Sequence, residues 1–126
     1  MKYRIIISLS FLVLISCGSV KKTSQIKTEL YFGLSNDEGA ISNNIWLEFK
    51  KNHIDKILNG YTIVDAYGYW TGSNGTKVEE ATKILVYVHK KSDFESQKID
   101  SIINLYKSKF KQESVLKIEQ RIKIKF

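Results

Sequence analysis

Apolar positions recur along this chain first at every second residue and then at helical spacing, and the alternation of the two periods lays out the fold. Leu30, Phe32 and Leu34 alternate with Glu29, Tyr31 and Gly33, which predicts a half-buried strand; Ser35 to Gly39 reads as loop. Ser42 is placed to cap a helix in which Ile45, Trp46, Phe49, His53 and Ile57 share one face, with Asn59-Gly60 as its stop. Tyr61 to Trp70, β-branched and aromatic, predicts a second strand, Gly72-Ser73-Asn74-Gly75 the turn behind it, and Thr82, Ile84, Val86 and Val88 a third. Ser92 and Glu95 form a capping box that opens a helix with the stripe Ile99, Ile102, Ile103, Tyr106 and Phe110. Leu116, Ile118, Ile122, Ile124 and Phe126 alternate with charged residues, giving a last strand.

The order β-α-β-β-α-β predicts a ferredoxin-like α+β sandwich, four antiparallel strands with two helices on one face. In that architecture the strands lie in the order 4-1-3-2, so the second and fourth are edges.

The first residues read differently. Lys2 and Arg4 precede an apolar run from Ile5 to Ile15, Ser16 is small, and Cys17 is the only cysteine. This is the layout of a secretory signal, and its eleven apolar residues fall well short of the ~20 that span ~30 Å of hydrocarbon. The ending Leu14-Ile15-Ser16-Cys17 resembles the lipobox of bacterial lipoproteins. That resemblance implies a signal peptide over 1–16, a lipidated Cys17 opening a flexible tether over 17–28, and a folded domain over 29–126. It implies an extracytoplasmic protein held to a membrane by lipid; Gly18 and Ser19, without an aspartate, resemble the outer-membrane default of enterobacterial sorting.

Loss of residues 1–16 from the 126 leaves 110 residues, one domain's worth, and lowers the formal net charge from +7 to +5, since Lys2 and Arg4 depart. In an exported protein such a charge suits anionic lipid or an acidic polymer better than nucleic acid. With Cys17 acylated no thiol is left for redox or metal chemistry.

Several blocks carry a family likeness: Glu29 to Leu34, Trp46 with Phe49, Asp65 to Trp70, Glu80 with Lys83 to Val86, His89, and Phe110 to Leu116. Together they resemble domain-of-unknown-function family 3574, small bacterial exported or lipid-anchored proteins. The resemblance marks Trp46, Trp70, Glu80, Gln112, Glu113 and Ser114 as motif residues without implying an activity.

The candidate chemistry lies on strands two and three. If their odd-numbered residues face away from the helices, Asp65, Tyr67 and Tyr69 join Lys83, Leu85, Tyr87 and His89 on one open surface. A two-residue Asn74-Gly75 hairpin would put the tyrosines in the core instead; an odd-length loop or a bulge preserves the surface, and that is favoured because Asp65 would otherwise be a buried carboxylate without a partner. Such a surface suits an interface first, as a homodimer with a second copy or with another envelope protein, then a small-ligand site, with a plain solvated surface as the remaining reading. Binding is the leading expectation; the alternative is an enzyme of the ferredoxin-like dimeric barrel type, with Asp65 or His89 carrying a proton and tyrosines holding the substrate. No cofactor, metal or nucleotide motif is present in the sequence. Glu79 and Glu80, adjacent on a strand, point to opposite faces and form no carboxylate pair. Gln112-Glu113-Ser114 follows the second helix, placed either to bind its free carbonyls or to line a pocket.

Overall fold

A computed structural model describes residues 24–125. The predicted signal peptide, Cys17, most of the tether and Phe126 lie outside the described residues.

Strand β1 runs from Gln25 to Gly33, so the chain enters the sheet four residues inside the expected tether. A two-residue ribbon follows, β2 (Ser35–Asn36) and β3 (Gly39–Ala40), in the segment expected as loop. Helix α1 (Asn43–Phe49) continues through a π-helical stretch, Lys50–Ile54, into α2 (Asp55–Ile57). Ser42 caps it as expected, accepting from Ile45 N–H. Then come β4 (Thr62–Thr71), β5 (Lys77–Lys90), α3 (Asp93–Phe110) and β6 (Leu116–Ile122). The four long strands lie in the order β4-β5-β1-β6, all neighbours antiparallel, which is the ferredoxin-like order with β4 and β6 at the edges.

The core lies between the helices and one face of this sheet. Leu30 and Phe32 of β1, Trp46 and Phe49 of α1, and Tyr106 of α3 are at most 1% exposed. Their rings interlock edge to face, Phe32 with Tyr106 at 4.7 Å between centroids and Phe49 with Tyr106 at 5.2 Å. The core cluster runs from Leu30 to Phe110, so the described domain carries its own interior.

Two expectations about helix one are corrected. The π turn inserts a wide spacing between Phe49 and Ile54, so the buried positions are Trp46, Phe49, Ile54 and Leu58. His53 is displaced to a half-buried place against the Phe49 ring, and Ile45 points outward, 44% exposed.

The β4–β5 turn has an odd length, as the surface reading required. Thr71 pairs with Lys77, and five residues close the loop, with Gly72 N–H donating to the Thr76 carbonyl at 2.8 Å. Gly75, at φ +80°, takes a conformation that a side chain would resist. The last β1–β5 pair is Gly33 with Thr82, so the β4–β5 ribbon projects about five residues, roughly 17 Å, past that pair. Strand β6 ends at Ile122, earlier than expected.

Candidate functional site

The register that keeps Asp65, Tyr67, Tyr69, Lys83, Tyr87 and His89 on one face points that face toward the helices, contrary to expectation. Leu30 pairs with Leu85, and both are fully buried beneath the helical layer. The cause is β1: its even residues are the strongly apolar ones, and pairing carries the odd residues of β5 inward with them.

The expected surface therefore breaks into three parts. Tyr87 and His89 are buried, 8% and 7% exposed, with their rings stacked at 4.9 Å. His89 Nδ1 lies 2.8 Å from the Lys90 carbonyl, so it must donate; Nε2 is then the acceptor for the Thr28 hydroxyl, also at 2.8 Å. Both nitrogens are used up in holding the fold. The Tyr87 hydroxyl donates to Glu95 at 2.6 Å, and burial, followed by that carboxylate, pushes the phenol up to about 12. Lys83 bridges Asp65 and Asn43 at the edge of the helical layer. Tyr67 and Tyr69 stand 65% and 70% exposed on the projecting ribbon. Lys83 and His89 are six residues apart on one strand, roughly 20 Å, so Asp65 and His89 do not converge.

The motif residues gather elsewhere, with the exception of Trp46, which is core. Glu80 and Trp70 project from the opposite, helix-free face, where with Gln112, Glu113 and Ser114 they line a cleft of about 750 Å³. Its floor is the small-residue strip Ala66, Gly68 and Thr82, and Tyr31 and Leu116 form its far wall.

Glu80 is fixed at one oxygen only. Ser35 donates to its Oε1 twice, from the backbone N–H at 3.1 Å and from the hydroxyl. Gly33 makes the room: a Cβ there would sit 2.7 Å from the carboxylate oxygens. The loop that supplies Ser35 is itself tied to the end of α3. Gln112 Nε2 donates to the Ser35 carbonyl at 2.6 Å, and Asn36 Nδ2 caps the Phe110 carbonyl at 2.8 Å. Gln112 thus reaches across to the loop while Asn36 serves the helix end, and Glu113 and Ser114 line the cleft.

A further tie runs from beneath, where the Tyr106 hydroxyl donates to the Gly33 carbonyl at 2.6 Å. Burial first and the Glu80 carboxylate second raise the Tyr106 phenol well above its ordinary value, so it remains a donor. Sequence reasoning overlooked Ser35, Gly33 and Tyr31 as site residues. The available signal was Gly33 itself, a residue without a side chain in an otherwise well-patterned strand, beside a strand bearing Glu80.

Chemically the cleft offers a carboxylate with one oxygen held and Oε2 without a protein donor among the described residues, next to the rings of Trp70 and Tyr31. Among the described residues no three His, Cys, Asp or Glu side chains are grouped to hold a metal ion, and no helix is long and apolar enough to cross a membrane.

Comparison with known proteins agrees with the sequence likeness. The family model described as protein of unknown function (DUF3574) matches residues 27–126, and the chain belongs to that family. No curated protein matches it. Among solved structures it is similar to a phage SAM lyase in complex with S-methyl-5'-thioadenosine, at 18% identity and a TM-score of 0.58 over 77% of this chain and 81% of that one. The apo state of a phage SAM lyase superposes at 19% identity and a TM-score of 0.60, over 82% and 86%. At these identities the likeness is one of fold.

Proposed function

We propose that the protein is a lipid-anchored binding module of the cell envelope that holds a small ligand in the Glu80 cleft. The ligand expected there has a flat ring to lie against Trp70 and hydroxyl or amine donors for the Glu80 carboxylate. The observation that carries this reading is the half-engaged carboxylate. Two Ser35 donors fix Oε1 of a part-buried carboxylate that lines the cleft, while Oε2 has no protein donor among the described residues and keeps its capacity to accept.

Nucleosides meet both requirements, since the base supplies a π-face and the ribose supplies vicinal hydroxyl donors. The S-methyl-5'-thioadenosine in the similarly folded phage SAM lyase is a ligand of that class and the natural first probe. Anchoring rests on the Lys2-to-Cys17 segment, which has the charge, length and terminal cysteine of a lipoprotein signal. Acyl chains contributing ~0.8 kcal/mol per buried methylene would make the attachment effectively permanent once more than one is present.

Calorimetric titration of the processed chain with S-methyl-5'-thioadenosine and adenosine tests the cleft. Saturable binding that falls at least about tenfold in Glu80→Gln, with the circular dichroism spectrum unchanged, is the expected result. Equal binding by wild type and Glu80→Gln would remove the cleft from the reading. The anchor is tested separately: Cys17→Ser should leave an unprocessed, unacylated precursor by mass, and equal processing of the two forms would refute it.

A further inference from the structure

We infer that the end of the sheet where β1 begins docks electrostatically on an anionic phospholipid surface, so that the cleft is held at the far end of the domain. The inference deepens the envelope part of the proposed function, and its test dispenses with Cys17 so that failure of lipid anchoring and failure of surface docking are distinguishable.

The argument starts from register. Gln25 pairs with Lys90 on one side and with Ile122 on the other, so the start of β1, the end of β5 and the end of β6 share one edge of the molecule. Five cations collect there: Lys90, Lys91, Arg121, Lys123 and Lys125, all exposed and none with an ion-pair partner among the described residues. Half of the four carboxylates at this end are spent. Glu29 pairs with Lys27 at 2.9 Å, and Glu95 takes Lys98 and the Tyr87 hydroxyl, leaving Asp93 and Glu119. At the cleft end the balance is reversed in character, because Lys111 pairs with Glu38 and the carboxylates of Asp37, Glu79, Glu80 and Glu113 stand against Lys77, Lys107 and Lys109. The domain is therefore electrically polar along its strands, and the two ends lie eight residues of β1 apart, about 27 Å.

Two features select a lipid surface over a soluble polyanion. Ile122 and Ile124 are interleaved with Arg121, Lys123 and Lys125, and Ile124 is 39% exposed, so the patch offers apolar groups at the same level as its charges. Such interleaving suits a surface with phosphates outside and acyl chains beneath. Ser24, where the described residues begin, directly precedes β1 at this edge, and Lys21 and Lys22 come just before it in the sequence.

The test uses the chain from Gly18 onward, which lacks any cysteine, with Ile124→Cys carrying an environment-sensitive fluorophore. Vesicles of phosphatidylcholine with roughly one-quarter phosphatidylglycerol should bind it and blue-shift the label, while pure phosphatidylcholine should not. Raising salt from ~0.1 M to ~1 M, which shortens the screening length from ~10 to ~3 Å, should abolish binding. With each surface cation contributing about fivefold, Lys91→Gln with Lys123→Gln and Lys125→Gln should weaken it by about a hundredfold. The charge-matched control at the other end, Lys77→Gln with Lys107→Gln and Lys109→Gln, should change it less than about threefold. Equal loss in the two triple variants would mean that net charge alone is responsible and would overturn the inference. Absence of binding to the anionic vesicles, or binding as tight to soluble polyphosphate, would overturn it as well.

Discussion

The two faces of the central sheet are built from the same strands and treat their polar groups in opposite ways. On the helix-covered face, His89 and Thr28 satisfy each other out of water, and no buried side-chain donor or acceptor among the described residues is left without a partner. On the bare face, Glu80 is positioned by Ser35 and still has an oxygen to offer. Residue type does not distinguish the two situations. Imidazole is the more versatile catalytic group, yet here the imidazole is masonry and the carboxylate is the group with spare capacity.

The largest test of this contrast removes bulk from each face. Trp46→Ala empties a fully buried site and should cost ~3–5 kcal/mol, enough to unfold much of a domain whose whole stability is of order 5–15 kcal/mol. Leu116→Ala, at 57% exposure on the bare face, should cost less than ~1 kcal/mol. Urea midpoints measured side by side decide it, and similar losses would mean that the bare face is covered in solution.

A finer version exchanges the polar groups. His89→Ala strands the Thr28 hydroxyl in the interior and should lower stability by ~1–3 kcal/mol while nucleoside affinity is unchanged. Glu80→Gln should do the reverse, weakening binding with less than ~1 kcal/mol of destabilisation. If His89→Ala abolishes binding in protein that remains folded, the division between the faces is wrong.

Smaller still is Gly33→Ala. The added methyl would meet the Glu80 oxygens at 2.7 Å, and a carboxylate on a flexible stem can swing aside at the expense of its Ser35 bonds. We expect a stability loss of ~1 kcal/mol and a loss of affinity matching that of Glu80→Gln. Unaltered affinity would show that the fixed position of the carboxylate is irrelevant to binding.

The last effect appears only at alkaline pH and comes from the covered face. The folded Tyr87 phenol is raised from 10 to about 12, so the stability it contributes is complete below pH 10 and disappears as pH climbs from 10 to 12. The Tyr106 phenol, also raised, acts in the same direction. Tyr87→Phe should therefore show a shallower fall in thermal midpoint across pH 10–12 than the wild type, although it is less stable at neutrality for want of the Glu95 bond.

Much of this architecture could be read from the chain. The helix caps at Ser42 and Ser92 and the stripe on α3 follow from local rules that tertiary contacts did not overrule, whereas the odd-length β4–β5 loop was reached by an argument about Asp65 that placed its face on the wrong side of the sheet. The orientation of β5 could not be read in isolation, because both of its faces are apolar enough to be interior: Ile84, Val86 and Val88 on one, Leu85 and Tyr87 on the other. Only the pairing of Leu85 with Leu30 decides between them. Strand β6 misled for a related reason, since its apolar residues face the bare side and Leu116 is largely exposed. The cleft was half legible. Glu80, Trp70 and Gln112 to Ser114 stood out in the sequence, but Ser35 and Glu80 lie forty-five residues apart along the chain, and no spacing rule reaches that far.

Strand β1, the first element of the fold, sits inside the sheet, and one of its partners is the last element: Gln25 pairs with Ile122, ninety-seven residues later. A chain emerging amino terminus first must keep that strand unsatisfied along one edge until Leu116 to Ile122 have been made. Such late closure makes for slow folding and for a long interval in which Lys27, Glu29 and Tyr31 present bare backbone to neighbouring chains. Release of nascent chains truncated before Leu116 should therefore give aggregation rather than a loosened native state, and cells producing the protein in quantity would need a holding chaperone at the point of emergence.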